Sequence, residues 1–173
     1  VQILTTYAVA TDPASRNYAA KDGALLAIGN MAELLRKKSE YRGNLEDLLS
    51  SHVMMEFQNP LGFLRARACW IYGRFSNITF SNPENLMGAL QAVVGCLSDP
   101  DLPVRVEAAK SIKTFLESEQ LANEIRPAVP QLLESIFHMM NEIENEDLVR
   151  LSLAYGQVLM VKRFRLTPCE NVG

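Results

Sequence analysis

The sequence predicts an all-α fold: a solenoid, or superhelix, of about four stacked helix pairs. Three observations carry that reading. Apolar residues recur at steps of three and four through most of the chain, while alternation of strand type is hard to find. Proline beside an acid or amide interrupts this pattern at regular places. A basic residue opens every second helical segment at a nearly constant spacing.

The elements follow in order. Residues 2–10 carry one apolar face, and Asp12-Pro13 ends them. A second helix is expected over 20–38, where Ala24, Leu25, Ile28, Met31, Ala32 and Leu35 share a stripe. Residues 45–57 and 62–77 form the next pair around Asn59-Pro60. After Asn82-Pro83 come 86–97 and 103–117, joined by Asp99-Pro100-Asp101. Pro103 suits the first turn of its helix, where the missing N–H costs nothing. Pro127 and Pro130 stand in the opening turn of 125–140, and the last helical pattern covers 147–162. The whole chain, 1–173, is thus expected to be one solenoid segment, with repeats near 1–38, 45–77, 86–117 and 125–163 and an irregular tail over 164–173.

The repeat is visible in register. Lys21, Arg65, Arg105 and Arg150 are separated by 44, 40 and 45 residues, within the ~40–47-residue period of HEAT and armadillo repeats. Three positions after the arginine stand Ala68 and Ala108, small enough for paired helices to approach closely. The turns supply an amide or acid (Asn59; Asp99 and Asp101; Glu146 and Asp147) that can pair with the arginines in a ladder. One pair cannot bury its apolar face alone, so neighbours stack and share a core.

The stretch GFLRARACWIYGRF, residues 62–75, concentrates the candidate chemistry. Arg65 reads as a structural arginine of the turn, with a partner contact as the alternative. Leu64, Ala68, Ile71 and Phe75 define the core side of this helix. Cys69 reads as a small hydrophobe, because no base stands near it in sequence. Trp70 has two readings. It packs between adjacent second helices, or it anchors a partner between the cations Arg67 and Arg74.

The formal net charge of −3 argues against non-specific nucleic-acid binding. No apolar run approaches the ~18 residues of a membrane span. The chain opens Val-Gln-Ile-Leu, with neither an initiator Met nor a secretory pattern, so a fragment or a processed piece is expected. Cys69, Cys96 and Cys169 share no C-x-x-C spacing and read as reduced thiols. His52 and His138 are each alone. No phosphate-binding, dinucleotide or nucleophile-elbow motif occurs. No catalytic residue, cofactor or metal site is therefore predicted.

What remains is a binding surface. Arg67, Trp70 and Arg74 in the second pair, with Glu107, Lys110 and Thr114 in the third, project away from the repeat core. The turn acids Asp99, Asp101, Glu142, Glu144 and Glu146 would add a field for a basic partner; the bland reading of the last three is a solvated turn.

Four segments carry a family resemblance: KDGALLAIGNMAELL (21–35), LGFLRARACWIYGRF (61–75), LPVRVEAAKSIKTFL (102–116) and NEIENEDL (141–148). In order and spacing they resemble the importin-β superfamily of karyopherins, specifically its importin seven/importin eight branch. RARACW (65–70) is the most specific match, and the resemblance covers roughly 18–149. It implies a HEAT-repeat superhelix that carries cargo between cytoplasm and nucleus through nuclear pores, without catalysis. The implied partners are basic cargo proteins such as ribosomal proteins and histones, the GTPase Ran (mainly through repeats outside this stretch) and nucleoporins. Direct nucleic-acid contact and membrane insertion are not implied. The family chain is several times longer, so a central fragment is expected, and beyond Leu148 the resemblance fades. Periodicity alone fits equally a HEAT scaffold of another kind, such as a phosphatase scaffold subunit. An all-α enzyme fragment is disfavoured, because no paired nucleophile and base is visible.

Overall fold

The computed structural model describes residues 2–10 and 15–140, and among these every regular element is helical. The α-helices are α1 (Gln2–Val9), α2 (Tyr18–Asn30), α3 (Ala32–Lys37), α4 (Ser39–Arg42), α5 (Leu45–His52), α6 (Gly62–Arg74), α7 (Pro83–Gly95), α8 (Leu102–Glu117), α9 (Glu119–Ile125) and α10 (Val129–Met140). Short 3-10 turns extend α5 (Met54–Gln58) and α7 (Cys96–Ser98) and link α9 to α10 (Arg126–Ala128).

The helices pack in pairs: α1 on α2, α5 with its 3-10 turn on α6, and α7 with its turn on α8. The second helices α2, α6 and α8 then stack side by side, and α9 and α10 continue the array against α8. This is the all-α solenoid that the register predicts. The expected fourth second helix (147–162) and the tail (164–173) lie outside the described residues.

Local chemistry explains the ends. Asn17 accepts the Ala20 N–H (2.9 Å) at the start of α2, and Asn82 accepts the Glu84 N–H (2.9 Å) at the start of α7, where Pro83 takes the first position. The two intra-pair turns are built alike. Asn59 Oδ1 accepts the Leu61 N–H and Asp99 Oδ1 accepts the Asp101 N–H, each at 2.9 Å, so the amide and the acid make the same side-chain turn before α6 and α8.

One core runs through the stack. Leu64, Ala68, Ile71 and Phe75 of α6 are buried as expected, and Val104, Ala108, Ile112 and Phe115 repeat the pattern on α8. Three details differ from the sequence reading. The expected helix 20–38 breaks at Met31, which is exposed rather than on the core stripe. There Arg74 Nε donates to Gly29 O (3.1 Å) and takes a carbonyl of the last turn of α2. The chain then makes the extra short helix α4. Finally, the stretch before Pro127 is itself helical (α9), held by the buried Leu121 and Ile125.

Candidate partner-binding surface

The intra-pair turns form one edge of the solenoid, and arginines organise it. Arg65 Nη1 donates to the carbonyls of Asn59 (2.8 Å) and Pro60 (3.2 Å), tying its own turn. Its Nε and Nη2 reach the next turn and bond Asp99 in a fork (2.7 and 2.8 Å), with Asp101 at 3.1 Å. Arg105 repeats the first half of this, donating from Nη1 to Asp99 O (2.8 Å) and Pro100 O (3.1 Å). The Arg65 guanidinium, as a hydrogen-bond donor and charge, holds the Asp99 carboxyl below its ordinary range against the opposing effect of burial. Asp99 is therefore engaged within the ladder, its side chain 8 % exposed, whereas Asp101 remains 52 % exposed. A Cβ at Gly62 would fall on the Asp101 carboxylate, so glycine makes room for this contact.

At the joint before it, the ladder position holds Lys21, and the geometry changes. Lys21 and Glu56 are both fully buried, with Nζ 3.1 Å from Oε1. That approach is off the hydrogen-bonding angle; Nζ donates instead to His52 O (2.7 Å) and lies 4.5 Å from the centroid of the Tyr7 ring. Glu56 Oε2 accepts from Asn59 Nδ2 (2.8 Å) and from the Tyr7 hydroxyl (3.3 Å). Burial pulls the Lys21 ammonium below its ordinary range, and Glu56 opposes that pull. Sequence reasoning placed Lys21 in the ladder and missed its buried partner. The signal was Asn59: where the next turn has Asp99, this one has a neutral amide, so the acid comes from elsewhere.

The second-helix stripe sits at the seams between neighbouring second helices. Arg67 of α6 pairs with Asp22 of α2 through Nε (2.7 Å) and Nη2 (3.2 Å), and its Cζ stands 5.1 Å from the Trp70 ring centroid. Trp70 packs against Gly29 so closely that a Cβ there would lie inside the indole. Arg74 takes the Gly29 carbonyl. Trp70 thus packs between adjacent second helices, the first of its two readings, while staying only half-buried. The α6–α8 seam repeats the device with Gly73 facing Ser111, whose hydroxyl donates to Cys69 O (2.6 Å). On α8, Glu107 and Lys110 pair with each other (2.9 Å), and the Thr114 hydroxyl donates to Ser111 O (2.8 Å).

Cys69 is fully buried, and its thiol is pushed well above the ordinary range by its hydrogen bond with Cys96 and then by burial. That is the opposite of an activated nucleophile. His52 lies beside the Lys21 cluster with Nδ1 buried and without a hydrogen-bond partner; burial, then the Lys21 charge, lowers its pKa. Among the described residues no three His, Cys, Asp or Glu side chains converge as a metal site, and no helix is long and apolar enough to cross a membrane. Glu142, Glu144, Glu146 and Cys169 lie outside the described residues.

Comparison with known proteins gives consistent relatives. The chain is 44 % identical over 161 residues to "Importin beta-like SAD2 homolog" of Arabidopsis thaliana, covering 92 % of this chain and 16 % of that protein. It is 43 % identical over 178 aligned positions to "Probable importin-7 homolog" of Dictyostelium discoideum, covering 100 % of this chain and 16 % of that protein. It is 36 % identical over 147 residues to "Importin-8" of Mus musculus, covering 84 % of this chain and 14 % of that protein. The chain thus spans about 16 % of the length of the first of these relatives. The Dictyostelium alignment runs past Leu148, so the likeness extends further than the four segments indicate. No protein-family model and no solved structure matches the chain.

Proposed function

Because the chain belongs to the importin-β family, in its importin-7/8 branch, we propose that it is a cargo-contacting HEAT segment of a nuclear transport receptor, acting by binding without catalysis. The observation that carries the proposal is the identity of 36–44 % to importins over most of the chain. The whole receptor would move between cytoplasm and nucleus with Ran and nucleoporins as further partners, Ran mainly through repeats outside this stretch. The repeats would follow the expected boundaries, the fourth closing over 125–163.

The geometry supports a division of labour within the candidate residues. Arg67, Arg74 and Asp99 hold seams and turns, each with a partner inside the solenoid. Asp101 is half-exposed on the turn edge, and Glu107 with Lys110 and the open side of Trp70 borders the second-helix stripe. In sequence Glu142, Glu144 and Glu146 fall where the next turn is expected. A basic cargo, such as a histone or ribosomal protein, would meet Asp101, Glu107 and these acids. Contacts of this kind weaken as salt rises.

The test is cargo affinity in the full-length receptor. Trp70→Ala and a triple Glu142→Ser, Glu144→Ser, Glu146→Ser variant are titrated against a histone beside the parent, with melting curves as folding controls. Weaker binding by the acid variant, with a shallower salt dependence, supports the reading. If both bind like the parent while folded, this stretch is a spacer that sets curvature.

A further inference from the structure

The connector between the first and second helix pairs carries cations that the solenoid does not use. Arg36, Lys37, Lys38 and Arg42 fall within seven residues. Lys37, Lys38 and Arg42 are exposed, and Arg36 is half-buried. Arg42 Nε donates to Arg36 O (3.0 Å), which holds α4 against the end of α3; the Arg36 Nε itself is buried without a hydrogen-bond partner. Among the described residues none of the four has a carboxylate within ion-pair distance. Among the described residues the Lys37 and Lys38 side chains have no partner and Arg42 has only the Arg36 carbonyl, whereas every other lysine or arginine from α1 to α8 has a carboxylate, a carbonyl or an aromatic ring as partner. The nearby acids Glu33, Glu40 and Asp47 make no such pair either.

Helix dipoles account for part of this. Arg36 and Lys37 end α3, and Arg42 ends α4, where cations are favoured. Lys38 closes α3 as its C-cap, where a cation is favoured, and is at the same time the N-cap of the four-residue α4, a position that prefers Ser, Asp or Asn. Two apolar side chains of the same connector are also exposed: Leu34, 55 %, and Tyr41, 47 %. Exposed cations without a carboxylate partner, in one short connector with an exposed aromatic, complement an acidic peptide with an apolar anchor.

We propose that this connector, residues 34–42, docks an acidic segment of a partner protein, with Lys37, Lys38 and Arg42 taking its carboxylates and Leu34 and Tyr41 its apolar residue. This ligand has the opposite charge from the basic cargo proposed above, and the site sits on the inter-pair connector rather than on the turn edge. The two surfaces are independent. A peptide is favoured over RNA, because the chain as a whole is net negative and polyanion tracking needs an extended basic track.

The experiment titrates the full chain with a short fluorescent peptide of Glu and Asp residues around one Leu, at two salt concentrations. A single-stranded RNA of equal charge serves as comparison. The expected result is salt-sensitive peptide binding that weakens about tenfold or more in Lys37→Ala/Lys38→Ala/Arg42→Ala and survives in Lys37→Arg/Lys38→Arg. Equal helicity and melting of the variants separate this from a merely structural role, and Lys113→Ala should bind like the parent. No peptide binding, binding indifferent to the triple substitution, or tighter binding of the RNA overturns the proposal.

Discussion

Arg65 joins two turns of the solenoid through Asp99, 34 residues away, with Nε–Oδ2 at 2.7 Å and Nη2–Oδ1 at 2.8 Å. Both side chains are largely buried, so solvent screens the pair only partly. Asp99→Asn keeps the turn's shape but loses the charged fork, and should cost about 1–3 kcal/mol in urea unfolding.

The same pair sets an acid dependence. Asp99 is held below its ordinary value of 3.8 in the folded state. Its contribution is therefore present above the unfolded-state pKa and is lost as pH falls through the folded value. Glu46 acts in the same direction: burial opposes ionisation, but hydrogen bonds from Asn85 and from the Ser81 and Asn82 N–H groups hold its pKa down. Urea midpoints should decline gently below about pH 6.5, where His52 takes a proton in the unfolded chain before it does in the fold, and drop more steeply below about pH 4 as the carboxylates protonate. Asp99→Asn should flatten part of that drop; an unchanged acid profile would show that Asp99 ionises alike in folded and unfolded chains.

Gly29 and Trp70 make a built-in reporter, since Trp70 is the chain's one tryptophan. Gly29→Ala gains helix propensity of about 1 kcal/mol. It also places a methyl where the indole lies, and overpacking of that kind costs about 1–3 kcal/mol. Net destabilisation with red-shifted tryptophan emission is expected. A stabilised protein with unchanged emission would mean that the α2–α6 seam is looser than drawn.

Lys21 and Glu56 should behave as a buried pair. Lys21→Met strands the carboxylate and should destabilise by about 3–5 kcal/mol. Lys21→Met/Glu56→Leu should recover most of that loss, because an apolar pair of similar volume is often as stable as the ion pair. Equal losses in the single and double variants would show that the surrounding Tyr7 and Asn59 hydrogen bonds, rather than the charges, hold the joint.

Ala68→Leu tests the packing between helices. Ala68 is fully buried on α6, and the larger side chain should overpack and destabilise by about 1–3 kcal/mol. An unchanged denaturant midpoint would mean that the core face of α6 is misassigned.

The sequence was most readable where one local rule recurs. The 40-residue step from Arg65 to Arg105 brings matching turns, because Asn59 and Asp99 make the same side-chain turn before each helix. The core of α6 followed from helical period alone. The joint at Lys21 is only half readable: the neutral Asn59 signals that the acid comes from elsewhere, but Glu56 precedes the turn and nothing in its neighbourhood marks it as the buried partner. The break at Met31 depends on Arg74, 45 residues from the Gly29 carbonyl it takes, and periodicity has no access to such a contact. For the binding surface, sequence located exposed directions on the second helices but not their neighbours. Arg67 and Arg74 point out of their own pair and into the previous one.

The most direct test of the account is hydrogen exchange of the full-length receptor with and without a bound basic cargo, read over this stretch. Added protection is expected at the Asp99–Asp101 turn, the start of α8 and residues 142–147, with the connector at 36–42 unchanged. Cargo bound tightly while none of these segments changes would contradict it.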